Sequence, residues 1–345
     1  MKAMIKNYRN IPGKHCGTTA MRNLLFHFCK LDLSEEAVFG LGSGIDFLYI
    51  RGKGLNPSAV AVGRSISMEA DAASALGIDY METIEPDDDR AWEAVRAEIL
   101  ENRPVMLTGD IFFLDYRNYK VRFPAHRFVL VGFDDEKQTA YLADRVDPEP
   151  QPCSYEALRK SRNPDTGITT LNLWGKFYGT AVKNSLADAI KKAISTTALR
   201  MTGKDDSQKE LFEGAAGPGA NISTGLAGIA EFSRDIKEFH ERPDASSLAV
   251  YLANCMEKFG TGGGNFRKMY AGFLKWANNN VPGLIDPKAI ALAEKSAESW
   301  TRVAAMLEQI SKKARSKTGW SEISKEIEKI HETETRLWKG IQVSV

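Results

Sequence analysis

The chain has 345 residues, with 46 Lys and Arg against 45 Asp and Glu, a formal charge of +1, and 43% hydrophobic residues. That balance excludes a general electrostatic attraction to nucleic acid or to an anionic membrane, and no stretch reaches the roughly 20 apolar residues needed to span a bilayer. The length gives room for a large core and for two domains.

The opening MKAMIKNYRN carries no apolar run of signal-peptide length, so the expectation is a cytoplasmic protein. The cysteines are Cys16, Cys29, Cys153 and Cys255, with no C-x-x-C pair and no clustering with histidine. Such spacing points to free thiols rather than a zinc site or a disulfide framework, and no metal or other cofactor is expected.

In chain order, Pro12-Gly13 predicts a turn, and Thr18 to Lys30 predicts a helix from the spacing of Met21, Leu24, Leu25 and Phe28. Ser34 is placed to cap a short second helix that runs into the glycine-rich FGLGSG. SMEADAASALGID predicts a helix closed by Gly77, and AWEAVRAEILENR another stopped by Pro104. PVMLTGDIFFL, HRFVLVGFD and TAYLAD are short runs rich in β-branched and aromatic residues, the last two forming a hairpin through GFDDEKQT. After about residue 180 nearly every segment has helical periodicity, and the polar, glycine-rich stretch from Gly203 to Gly225 predicts a long interhelical link. The boundary is placed so that residues 1–180 form one domain and 181–345 a second, helical one.

Cys16 is the first residue with chemical promise. A helix N-terminus and a nearby imidazolium both favour a thiolate. Gly17, lacking a Cβ, would let a substrate approach. Read alone, the pattern leaves a nucleophile and a small buried residue as alternatives. Of the five histidines, His15 adjoins Cys16 but neighbouring side chains diverge there, and His27, His240 and His331 lie on helical stretches. His126 opens a strand, and Asp144 ends the strand that should pair with it. In an antiparallel hairpin the start of one strand lies beside the end of the next, which brings these two residues together. A carboxylate there would orient the imidazole and stabilise its charged form.

A cysteine on a helix start, followed by histidine and aspartate on consecutive strands, resembles the papain-like cysteine hydrolases. Such enzymes add an oxyanion donor, for which Asn10 is the candidate; Asn23 reads as structural. Asp110, at the end of a strand, is either a ligand for a cationic amine or a turn cap. FGTGGGNFRKMY puts glycines before a helix bearing Arg267 and Lys268, so it is either an anion site, for example for a phosphopantetheine phosphate, or a tight turn.

HCGTTAMRNLL, LSEEAVFGLGSGIDFLY, GRSISMEADAASALGI, RPVMLTGDIFFLDY and HRFVLVGFDDEKQTAYLAD together resemble the N-terminal domain of the butirosin biosynthesis protein H family. The His126–Asp144 hairpin is also similar to that of C39-type peptidases. The second half, through GTGGGNFRKMYAGFL and its tryptophan-bearing helices, resembles the helical domain of unknown function usual in that family. The fold implied is α+β: a papain-like domain of the C39 or NlpC kind with an antiparallel sheet, then an all-α domain. The activity implied is acyl transfer in natural-product biosynthesis, from a thioester donor, in the family an acyl-carrier-protein thioester, to a small amine acceptor. A cysteine peptidase or amidase and a non-catalytic binding module are the competing readings. The apolar stripes of the helices after residue 284 leave a homodimer as the alternative to a self-contained bundle.

Overall fold

The structure is a computed structural model and describes residues 1–52, 55–165, 169–215 and 220–341. The first half runs β1 (Lys2–Met4), α1 (Cys16–Cys29), α2 (Glu35–Leu41), β2 (Ile45–Arg51), β3 (Ala59–Arg64), α3 (Met68–Leu76), β4 (Asp79–Thr83), α4 (Asp88–Leu100) and β5 (Val105–Gly109). It continues through β6 (His126–Asp134), β7 (Thr139–Ala143), β8 (Gln151–Ser154), α5 (Tyr155–Arg162) and β9 (Trp174–Tyr178). The remainder is α6 (Leu186–Met201), α7 (Ser207–Ala215), β10 (Asn221–Thr224), α8 (Gly225–Ile236), α9 (Ala245–Glu257), α10 (Arg267–Asn280), α11 (Pro287–Ile310) and α12 (Lys317–Gly340). The class is α+β, an antiparallel sheet region followed by a helical one.

Two compact units divide these elements. The first holds residues 1–38 and 76–183, the second 39–75 and 184–345. The chain thus makes an excursion into the second unit at 39–75 before it enters that unit again at 184. Pairing explains the excursion. β2, within 39–75, lies between β3 and β10, and β10 comes from the helical half. No periodicity within 39–75 signals a partner so distant in sequence.

The first unit is built on a seven-stranded sheet in the order β4-β9-β5-β6-β7-β8, with β1 also paired to β6. β5 covers the start of β6, Gly109 lying opposite His126, and β1 covers its end, Lys2 lying opposite Asp134. α1 packs on this sheet through β6, β9 and β5. Its residues Met21, Leu24 and Leu25 are fully buried, each contributing about 1.5–3 kcal/mol. The helix ends where Lys30 turns left-handed, at φ 57°, and returns its N–H to the carbonyl of Phe26.

The second unit packs α11 against α12, α9 and α10, and α8 against α12 and β2. Phe47 of β2 stacks on Trp300 of α11 at 5.3 Å between ring centroids. The stretch from Gly203 to Gly225, expected as a long polar link between helices, contains α7 and β10, with 216–219 outside the described residues. Its polar composition conceals a strand because β10 has only four residues and borrows its order from β2. Among the described residues no helix is long and apolar enough to cross a membrane.

Arg267 belongs to this unit's core. It is buried and ion-paired with the buried Glu334 at 2.9 Å, and its Nη1 donates to the carbonyls of Asp46, Gly63 and Asn265. Glu334 also accepts from Ser296 Oγ and from the indole N–H groups of Trp300 and Trp338. The anion-binding role considered for Arg267 is therefore corrected: its charge is already matched by a carboxylate, and its remaining donors tie β2 and β3 to the helices. The glycines before it make the tight turn, with φ of 67–90° at Gly262 and Gly263.

Candidate active site

The site lies within the first unit, where α1 begins against the start of β6. His15 is the N-cap of α1: its Nδ1 accepts from the N–H of Thr18 at 3.2 Å, and its carbonyl accepts from the N–H of Thr19 at 3.0 Å. Cys16 is the first helical residue and is 7% exposed. Gly17 follows it in the first turn and is buried. His15 is thus committed as a cap beside Cys16.

His126, 4% exposed, opens β6, and Asp144, 2% exposed, follows the last residue of β7. The hairpin register runs from Asp134↔Thr139 to Val129↔Ala143, with an irregularity between Leu130 and Gly132. That register leaves the start of β6 beside the end of β7. Nε2 of His126 lies 2.9 Å from Oδ1 and 3.1 Å from Oδ2 of Asp144. The Cys16 side chain also interacts with this imidazole, by hydrogen bond and by charge. With Nε2 committed to Asp144, Nδ1 is the ring nitrogen left to face the thiol.

The surroundings of Asp144 fix that arrangement. Its carboxylate accepts from the backbone N–H of Arg145 at 2.6 Å and from the hydroxyl of Tyr116 at 2.8 Å. Burial alone would push the Asp144 carboxyl up, but the His126 charge and these hydrogen bonds hold it well below the usual carboxylate range. For His126 burial again opposes the charged form, yet Asp144 and Cys16 together raise it to about 10. The arrangement favours a carboxylate beside an imidazolium, poised to stabilise a thiolate.

Asn10 does not serve as an oxyanion donor in this arrangement. Its Nδ2 donates to the carbonyls of Asp144 at 2.8 Å and Asp147 at 2.6 Å, and its Oδ1 accepts from Nδ2 of Asn23 at 2.7 Å. Both amide hydrogens are spent on the loop after β7, so Asn10 clamps the segment that carries Asp144. Asn23 is structural as read, holding Asn10 and the N–H of Ile11.

Asp110 is likewise corrected from a candidate amine ligand to a turn cap. One carboxylate oxygen accepts from the N–H groups of Phe112 and Phe123 and the other from Nε of Arg122. Its charge is matched inside the loop.

Two residues outside the sequence reading complete the site. Tyr116 holds Asp144 from a loop whose sequence gives no periodic signal. Glu35, seen in sequence only as the start of a capped helix, accepts from the N–H of Lys14 at 2.9 Å and of His15 at 2.7 Å. Elsewhere, among the described residues, Glu238, His240 and Glu241 bring potential ligand atoms within 4.8 Å of one another on a turn of the second unit.

The model of the butirosin biosynthesis protein H N-terminal domain matches residues 15–145, and that of the domain of unknown function DUF4872 matches 158–341. The chain belongs to the butirosin biosynthesis protein H family. The first match begins at His15 and ends at Arg145, so the family's N-terminal domain includes Cys16, His126 and Asp144. The family description names a biosynthesis protein and assigns no reaction to these residues. No curated protein matches the chain.

Proposed function

We propose that this chain is a cysteine acyltransferase, moving an acyl group from a thioester donor to a small amine through an acyl-enzyme on Cys16. The observation that carries the reading is the His126 imidazole bound to the Asp144 carboxylate at 2.9 Å and interacting with the side chain of Cys16, the first residue of a helix. The family's description as a biosynthesis protein supports synthesis over degradation, and the resemblance implies a carrier-protein-bound donor.

In the first half-reaction Nδ1 of His126 takes the Cys16 proton and the thiolate attacks the thioester carbonyl carbon. The donor's C–S bond breaks, and its sulfur leaves with the proton returned by His126. In the second, the amine attacks the acyl-enzyme carbonyl and gives its proton to His126, and Cys16 leaves as thiolate. One amide and one thiol result from one thioester and one amine. The N–H groups of Cys16 and Gly17, at the positive end of α1, are assigned to the oxyanion in place of Asn10.

Incubation with acyl thioesters, with and without amines, tests this. Amide formation with release of the donor thiol is expected. Fast hydrolysis indifferent to amine would replace transfer with the peptidase or amidase reading, and no turnover with an unreactive Cys16 would leave a binding module.

A further inference from the structure

Glu35 has no part in the proton transfers proposed above, yet it is one of the most heavily used buried carboxylates of the first unit. It is 5% exposed. Its Oε1 accepts from the N–H of His15 at 2.7 Å, the N–H of Lys14 at 2.9 Å, and the hydroxyls of Thr18 at 3.0 Å and Thr19 at 3.3 Å. Oε2 shares the Lys14 N–H at 2.9 Å. These donors are the two amides just before Cys16 and two side chains in the first turn just after it. Glu35 therefore holds both ends of the turn that delivers the thiol. The turn is also closed sterically: a Cβ on Gly13 would meet Thr19 Oγ1 at 2.2 Å and Glu35 Oε1 at 2.8 Å.

The placement carries an electrostatic consequence. A carboxylate at a helix N-terminus is favoured by the same partial charges that favour a thiolate there. Two anions in one small region oppose each other. A carboxylate in this place would act on the thiol in two opposed ways: its hydrogen bonds would fix the turn that aims the residue, and its charge would resist the thiolate.

Resting on the nucleophile reading above, we infer that Glu35 is a positioning residue that sets both the aim and the ionisation of Cys16. The other charged groups that bear on the thiol are named by the same geometry. From the sheet side come His126 and Asp144, with Tyr116 behind them. On the turn are His15 and Lys14, and from the loop after β7 comes Arg145, whose Nη1 donates to the Lys14 carbonyl at 3.3 Å. Glu36, paired with Lys14 at 3.6 Å, and Arg22, which feels the charges of Glu35 and Glu36, complete the set.

The test is the pH profile of Cys16 alkylation by iodoacetamide, read by peptide mass spectrometry on the full chain, with Cys29 and Cys255 as internal references. Glu35→Gln keeps an oxygen where most of the donors converge and removes the charge. Its midpoint should move to lower pH by about half to one unit, a several-fold faster reaction on the acid side. Glu35→Ala loses the hydrogen bonds as well, so the thiol drifts from His126 and its midpoint should rise toward that of an ordinary thiol, about 8.5. Thermal melting of both variants identifies any general loss of fold, and the Gln variant carries the test if the Ala variant does not fold. A wild-type midpoint in Glu35→Gln, or a shift in the same direction for two folded variants, would overturn the inference. The nucleophile reading fails separately: in that case wild-type Cys16 itself has an ordinary profile that His126→Ala leaves unchanged.

Discussion

Nε2 of His126 and Oδ1 of Asp144 lie 2.9 Å apart, both side chains almost without solvent contact. The pair joins the first residue of one strand to the residue just past the end of the next, so the hairpin itself sets the distance. An imidazole so fixed has one nitrogen neutralised by a carboxylate and the other left to exchange a proton with a thiol.

This pair gives stability a defined pH dependence. A histidine raised from 6.5 to about 10 contributes fully below its unfolded value and loses the contribution as pH climbs toward about 10. Asp144, held below its ordinary 3.8, contributes above that value and loses it as pH falls through its lower folded value. The melting-temperature difference between wild type and His126→Gln should therefore be largest near pH 5–6 and shrink steadily toward pH 10. Melting curves across that range check it; a constant difference would count against the charged pair.

Tyr116 tests whether Asp144 needs its flanking support. Tyr116→Phe removes the hydroxyl that donates to Oδ2 at 2.8 Å and leaves the ring. A hydrogen bond to a charged group is worth about 1.5–3 kcal/mol. Acyl-enzyme formation should slow by about ten-fold or more, with a modest loss of stability by denaturant titration. An unchanged rate would show that Arg145 and His126 suffice to hold the carboxylate.

Asn10→Ala should act on the same carboxylate from behind. It strands the buried carbonyl of Asp144 and frees the loop that also contains Asp147. A buried acceptor left unpaired costs about 1–3 kcal/mol. The expected signature is a fall in stability together with a slower acyl-enzyme step. An oxyanion donor would instead slow the step without the stability loss, so the two measurements separate the roles.

Arg267 makes a stability prediction only. Arg267→Met leaves Glu334 buried without its cation, and breaking such a pair costs about 3–5 kcal/mol. Thermal melting should fall sharply. Phosphate or sulfate should give wild type no protection, because the guanidinium is filled by Glu334 and three carbonyls.

The legible parts of this protein were those governed by local periodicity and by hairpin geometry. The helix expected over Thr18 to Lys30 from the spacing of Met21, Leu24 and Leu25 is found at Cys16–Cys29, and the meeting of His126 with Asp144 follows from consecutive strands. What the sequence hid depends on partners far along the chain. β2 looks unremarkable until β10, some 170 residues later, pairs with it, Ile50 lying opposite Ile222. Asn10, Asp110 and Arg267 each suggested a ligand because their residue types can bind one. Each proves to be satisfied internally, by two carbonyls, by Arg122 and by Glu334 respectively. Glu35 and Tyr116 went unread because a carboxylate at a helix start and a tyrosine in a loop have ordinary explanations, and only the fold brings them to Cys16 and Asp144.

The central claim, that Cys16 carries the acyl group, is tested most directly by intact-peptide mass spectrometry after brief exposure to an acyl thioester. Wild type should carry one acyl mass on the peptide containing Cys16, removed on adding an amine with formation of the amide. His126→Ala should lack it. An unmodified Cys16 peptide in wild type, or an adduct that forms equally well without His126, would contradict the account.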